Sequence, residues 1–480
     1  MLLTLVIIYL LITIAIGLVA ARRVKTTTDY AVAGRNLPLI MIVTTTFATW
    51  FGSETVMGIP ARFVEGGLGA VIEDPFGAGT CLILVGLFFA AKLYRMSLLT
   101  LSDYYRERYG RTVEIVCAFI ILLSYLGWVS AQVTALGLVF HLLSNEAISI
   151  PVGMALGIAT ILAYTLAGGM WSVAVTDFMQ MVILVAGLGI LAFFAADLAG
   201  GADKVVALAV SKDMFRFWPK PNFHDIVFFF AAAITMMLGS IPQQDVFQRV
   251  MSANSESAAV KGPVIGGSFY ILFAFVPMFL VTSALIIMPT EAAALLKDDP
   301  QKILPTLVLE HMPFFMQVMF FGALISAVMS TASATLLAPS VTFTENIWRN
   351  FRPSKSDRQE LRTMRITVLI LAGCVLVYSI RMEGTPIYEL VSGAYQVPLV
   401  GAFVPLVCGL YWKRATTQGA IAAIVCGIGV WVGFMNTSLG AAFPAQLAGV
   451  LAAGLALVIG SLAPQMVADS KVPRRVTAPA

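Results

Sequence analysis

The chain has 480 residues, 59% of them hydrophobic and 12% charged, with a formal net charge of +4 and a mean hydropathy of +0.89. That composition excludes an ordinary soluble domain. A nucleic-acid binder is disfavoured too, because the basic residues are spread over six short loops rather than gathered in one patch.

Apolar runs of about 20 residues, long enough to cross a roughly 30 Å hydrocarbon core, recur from end to end and predict an all-α membrane protein with about thirteen spans. No polar stretch could fold separately, so residues 1–480 read as a single membrane transport domain. Residues 1–36 supply an extra first helix and loop. The first run has no preceding basic region and no small-residue cleavage site, which marks a retained span rather than a signal peptide. When alternate loops are assigned to opposite sides, 22 of the 30 Lys and Arg residues fall on one side, among them Arg22, Arg108, Lys355, Arg365, Lys471, Arg474 and Arg475. The positive-inside rule makes that side cytoplasmic, with the N-terminus outside and the C-terminus inside a multi-pass inner (plasma) membrane protein.

The second span, near 37–60, contains Phe47-Ala48-Thr49-Trp50-Phe51-Gly52-Ser53-Glu54-Thr55 and ends at Pro60. Glycine, serine and glutamate in an apolar run predict a broken helix, which hydrocarbon tolerates only where protein or a polar cavity surrounds the freed backbone. The third span opens with Glu73-Asp74-Pro75, carboxylates expected at an outer vestibule. Further spans follow near 113–143, 149–167 and 172–198, and residues 199–223 form an outer loop.

A second interruption, Gly239-Ser240-Ile241-Pro242-Gln243-Gln244-Asp245, breaks the span near 224–248. Paired interruptions in corresponding positions point to inverted repeats around a midplane site. The first repeat is expected at 37–198 and the second at 224–412. Residues 413–480 hold C-terminal helices and a cytoplasmic tail from Ala468. Asp245 and Arg249, four apart, are placed to pair on one helix face. The five cysteines lack metal or disulfide spacing and read as small buried hydrophobes. His141, His224 and His311 fall at span ends.

Within the span 313–343, Ala327, Ser330, Thr331 and Ala334 share one helical face. Such a face serves either close helix packing or oxygen ligation of a hard cation, completed by carbonyls freed near Ala48 and Phe51. Asp177 would add a negative charge nearby.

Gly168-Gly169-Met170-Trp171-Ser172-Val173-Ala174-Val175-Thr176-Asp177-Phe178-Met179-Gln180 resembles the signature of the sodium:solute symporter family. Ala327-Val328-Met329-Ser330-Thr331 resembles the sodium-site helix of that family, and Asp29-Tyr30-Ala31-Val32-Ala33-Gly34-Arg35 its first cytoplasmic loop. The resemblance implies a leucine-transporter-type fold with two inverted five-helix repeats. It implies one sodium ion held by the carbonyls of Ala48, Phe51 and Ala327 and the hydroxyls of Ser330 and Thr331, with Asp177 beside them. For solute it points to Trp50, Glu54, Trp128, Gln132, Gln243 and Gln244. Thr49-Trp50-Phe51-Gly52 and Phe247-Gln248-Arg249-Val250 look most like the choline-transporter branch, where Trp50 and Trp128 would enclose a quaternary amine. Gln243 departs from that branch, which has Trp there, and is similar to the sugar and proline carriers.

The expected function is sodium-coupled uptake of a small polar solute by alternating access. Amino acids or other amine-bearing solutes come first, then choline-like quaternary amines, monocarboxylates and sugars. A proton-coupled carrier using Asp177 or Glu54, and a membrane solute sensor, are the alternatives. An enzyme is disfavoured by the lack of a nucleophile–base pair, a metal cluster or a phosphate loop. The partners implied are the solute and the lipid bilayer, with the protein a monomer or weak homo-oligomer.

Overall fold

The computed structural model describes residues 1–353 and 356–467. Lys355 and the tail from Ala468, with Lys471, Arg474 and Arg475, lie outside the described residues. Among the described residues the regular structure is helical, apart from one isolated parallel bridge between Leu37 and Ala253.

Among the described residues ten helices are long and apolar enough to cross a membrane, and the pair Phe223–Gly239 and Gln244–Ser252, bent by 45°, makes an eleventh span. Length and backbone supply the rest. The 49-residue helix Ile150–Leu198 would extend about 74 Å at 1.5 Å per residue, far more than one bilayer core, and its backbone leaves the helical region at Gly169 (φ 47°, ψ −138°). It is therefore two spans joined at a turn. Only glycine serves there, because φ is positive and a Cβ would lie 2.3 Å from the Tyr30 carbonyl oxygen. Leu39–Trp50 is too short to cross alone, but the chain continues through Glu54–Gly58 into Ile59–Ala70. About thirteen crossings result, as the hydropathy predicts.

Burial sorts these spans. In the apolar stretch of Phe314–Phe351, 67% of residues are buried, against 22% in Leu2–Ala21 and in Ala445–Leu462. The first is the bundle's central post and the other two are lipid-facing staves, with Leu11, Ile12, Leu455 and Ile459 turned outward. The five cysteines follow the same rule. Cys81 and Cys117 are buried as expected, whereas Cys374 and Cys426 are exposed and Cys408 half-buried, because their helices present one face to lipid.

The loops are more structured than their composition suggests. The outer loop carries a helix, Ala202–Ser211. Between the spans Glu256–Ile287 and Phe314–Phe351 lies a hairpin of two short helices, Pro289–Asp298 and Ile303–His311. Its tip, Asp298 to Lys302, borders a vestibule of about 450 Å³ that Gly58, Arg62, Thr134 and Tyr388 also line.

The opposite end of the bundle is tied shut. The Asn346 side-chain amide donates to Asp103 (3.0 Å) and Glu114 (2.8 Å), and its Oδ1 accepts from the Thr100 hydroxyl (2.7 Å). Beside this network the Leu37 amide donates to the Ser252 carbonyl (3.0 Å) and the Asn254 amide to the Leu37 carbonyl (2.9 Å). The start of the first broken helix is thus fastened to the end of the second, so the two run in opposite directions.

Candidate cation and solute site

The helix Leu39–Trp50 ends because Phe51 adopts φ −86°, ψ 70°, and the chain resumes helical winding only at Ser53 and Glu54. Among the described residues no backbone amide donates to the carbonyls of Ala48 or Phe51. Buried carbonyls rarely stay unpaired, so these two oxygens have capacity to spare. Across from them stands the central helix, whose Thr331 hydroxyl lies 3.4 Å from the Ala48 carbonyl. Ser330, next to it, donates to Asp177 at 2.6 Å. A hydroxyl that gives its hydrogen to a carboxylate keeps its lone pairs free for a cation. Ala327 lies one turn earlier on the same buried face.

Asp177 also accepts a hydrogen bond from Thr45. One carboxylate therefore joins the first broken helix, the helix after Gly169 and the central helix. Thr45 was not singled out in the sequence, although its place one turn before Ala48 and Thr49 put it on a neighbouring face. Carbonyl, hydroxyl and carboxylate oxygens form a donor set suited to a hard monovalent cation.

On the other side of the break the aromatic residues gather. Trp50 and Trp128 lie 5.4 Å apart between ring centroids, and Tyr395 stacks on Trp50 at 5.8 Å and meets Trp128 at 5.4 Å. Tyr125 stacks on the far face of this group, 6.1 Å from Trp128. Tyr395 comes from Ile387–Pro398, a helix brought close by Gly127, where a Cβ would lie 2.7 Å from the Leu390 carbonyl. Glu54 accepts from Trp128 Nε1 at 3.0 Å and from Gln132 Nε2 at 2.6 Å, while Gln132 Oε1 accepts from the Ser53 amide at 2.9 Å. Gln132 thus braces the break as well as the carboxylate.

Of the two adjacent glutamines at the second break, Gln243 and Gln244, one faces this group. Gln243 donates to Ser124 at 2.8 Å and keeps its oxygen unpaired. Gln244 turns its oxygen to the Leu101 amide, accepting at 2.8 Å at the start of Leu101–Tyr109. Asp245 accepts from Tyr125 at 2.6 Å, and Arg249 reaches the Asp245 main-chain carbonyl (3.0 Å) and Thr49 (2.6 Å) rather than forming the expected carboxylate pair. Trp50 Nε1, Gln243 Oε1, Asp245 Oδ2 and the Tyr395 hydroxyl are all buried without partners. Four such groups around one aromatic cluster mark a place made for a polar ligand.

The bare Cα of Gly52 separates the two halves. A Cβ there would lie 2.6 Å from Glu54 Oε2, 2.7 Å from Thr331 Oγ1 and 2.8 Å from Gln132 Oε1. Oxygens of the cation side and the solute side are therefore immediate neighbours. Asp74, expected at the vestibule, is buried deep instead. It accepts from Tyr270, whose oxygen lies 2.9 Å from the Thr55 hydroxyl just past the break.

Residues 30–427 match the sodium:solute symporter family. The chain belongs to that family. Sodium is accordingly its coupling ion, and sodium-coupled symport its activity. It is 28% identical to the human high affinity choline transporter 1 over 88% of this chain and 75% of that protein. It is also 28% identical to the high-affinity proline transporter of Bacillus subtilis (strain 168), covering 88% and 90%. A Na+-coupled sialic acid symporter in a substrate-bound outward-open state has the same fold, with a TM-score of 0.83 at 19% identity over 96% of this chain and 97% of that one. The symporter thus has the leucine-transporter-type architecture of two inverted five-helix repeats, each opening with a broken helix.

Proposed function

We propose that this symporter carries an amine-bearing solute, cationic or zwitterionic, inward with sodium. The observation that carries the reading is Glu54, buried against Trp128 and belonging to no ion pair among the described residues. An ionised carboxylate in a membrane core needs a counter-charge, and the faces of Trp50, Trp128 and Tyr395 attract cations. Gln243, with a free amide oxygen, gives a hydrogen-bonding edge where a third indole would close the cage in the choline branch. That exchange favours amines with N–H groups, such as amino acids, over fully alkylated ones. The choline and proline transporters among its relatives carry amine-bearing solutes of both kinds.

Sodium lies, in this reading, among the carbonyls of Ala48, Phe51 and Ala327 and the hydroxyls of Ser330 and Thr331, with Asp177 holding Ser330 in place. The first repeat occupies 37–198 and the second 224–412. The vestibule opens outward, and the network around Asn346 closes the cytoplasmic end. The excess of Lys and Arg on that side supports an outside N-terminus and an inside C-terminus in the plasma or inner membrane. The protein works as a monomer or weak homo-oligomer.

The test is thermal stability of the purified protein in potassium and in sodium against amino acids, quaternary amines, sugars and carboxylates. A ligand specific for the folded state adds about 2.7 kcal/mol at a hundred times its Kd. Stabilisation by amines in sodium alone is expected. A sugar or a plain carboxylate that stabilises equally well would overturn the solute reading.

A further inference from the structure

The hairpin of Pro289–Asp298 and Ile303–His311 brings one histidine and two glutamates together at its base. Glu291 lies in the first turn of the first helix, and Glu310 and His311 close the second. One ligand atom from each lies within 4.8 Å of the others, and His311 Nε2 is already 2.7 Å from Glu291 Oε2. We propose that these three residues form a binding site for a zinc-class divalent cation that fastens the base of the hairpin.

The chemistry selects the ion. One imidazole nitrogen and two carboxylate oxygens, with coordination positions left for water, suit zinc. Magnesium prefers oxygen ligands and keeps most of its water. All three side chains are at least partly exposed, so rotamer changes alone can tighten the cluster around an ion. Ring closure across the hairpin joins its first and last turns.

The placement selects the effect. The hairpin leads directly into the central helix that carries Ser330 and Thr331. At its tip Gln301 accepts from the Ile387 amide at 2.8 Å, at the start of the helix that carries Tyr388 and Tyr395. Fastening the base therefore steadies one wall of the vestibule. An ion that binds only when the three ligands meet stabilises the conformation in which they do.

The experiment uses the tag-free full chain in detergent, titrated with zinc chloride by calorimetry, with magnesium chloride as the hard-cation comparison. One zinc per chain is expected, and His311→Ala and Glu291→Gln should each weaken binding at least about tenfold. Hydrogen exchange at the amides of residues 289–312 should slow with zinc in the unmodified protein and not in either variant. Unchanged zinc affinity in both variants overturns the site, as does magnesium binding equally well. Zinc binding that leaves hairpin exchange unaltered overturns the fastening. Unfolding midpoints of both variants without zinc, matched to the parent, show that the loss belongs to the ligands.

Discussion

The two interrupted helices solve the same problem in opposite ways. At the second, Ile241 donates to the Leu238 carbonyl (3.2 Å) and Gln243 to that of Ser240 (3.1 Å), so the backbone closes on itself through tight turns. What it offers outward is side chains, Gln243 and Asp245. At the first, the carbonyls of Ala48 and Phe51 receive no amide, and the break is braced from outside by Gln132. It offers backbone. A spherical ion with no directional preference is served by carbonyls, whereas an organic solute is distinguished by amides, carboxylates and rings. In the function proposed above, ion binding falls chiefly to one break and part of the solute selectivity to the other.

The largest effect should come from erasing the boundary between them. Gly52→Val places carbon within 3 Å of three oxygens, so sodium-dependent uptake should vanish while stability falls by about 1–3 kcal/mol; normal uptake would mean that the two sites do not meet at Gly52. Next comes Ser330→Ala with Thr331→Ala, which should remove the advantage of sodium over potassium in solute binding. Coupling of about 1–3 kcal/mol makes that a loss of roughly 5–150-fold in affinity in sodium, with affinity in potassium unchanged.

Glu54→Gln keeps shape and removes charge. A hydrogen bond to a charged group contributes about 1.5–3 kcal/mol, so affinity for a cationic amine should drop about tenfold or more, while any neutral analogue that binds is spared. Equal losses for both would make Glu54 a structural carboxylate. The smallest pair sharpens the second break. Gln243→Ala should shift apparent solute affinity by about 0.5–1.5 kcal/mol. Gln244→Ala should leave affinity alone and lower the unfolding midpoint, because the buried Leu101 amide loses its acceptor. Matched effects of the two substitutions on uptake would place both side chains at the solute.

Much of this was legible in the sequence. Gly52, Ser53 and Glu54 stand out in an apolar run because hydrocarbon penalises them, and Ser330 and Thr331 stand out by their spacing on one face. Trp50, Trp128 and Gln132 were legible only through the resemblance to the family, and the structure joins Gln132 to Glu54 by a hydrogen bond. Gln243 and Gln244 could not be separated, because adjacent residues at a helix start point in different directions and the sequence does not say which faces inward. Tyr395 was missed since it reaches Trp50 from a helix more than 300 residues away, through an approach that only the small Gly127 permits. Asp74 looked like a rim residue because nothing local shows that Tyr270 would bury and bind it.

The bridge between Leu37 and Ala253 has a mechanical meaning. Two rods pinned together at one end can splay at the other but cannot slide past each other, so relative movement of the broken helices is a rotation about that pin. A small swing there is magnified with distance along the rods. Both breaks lie partway along the rods, so one swing about the pin displaces them together.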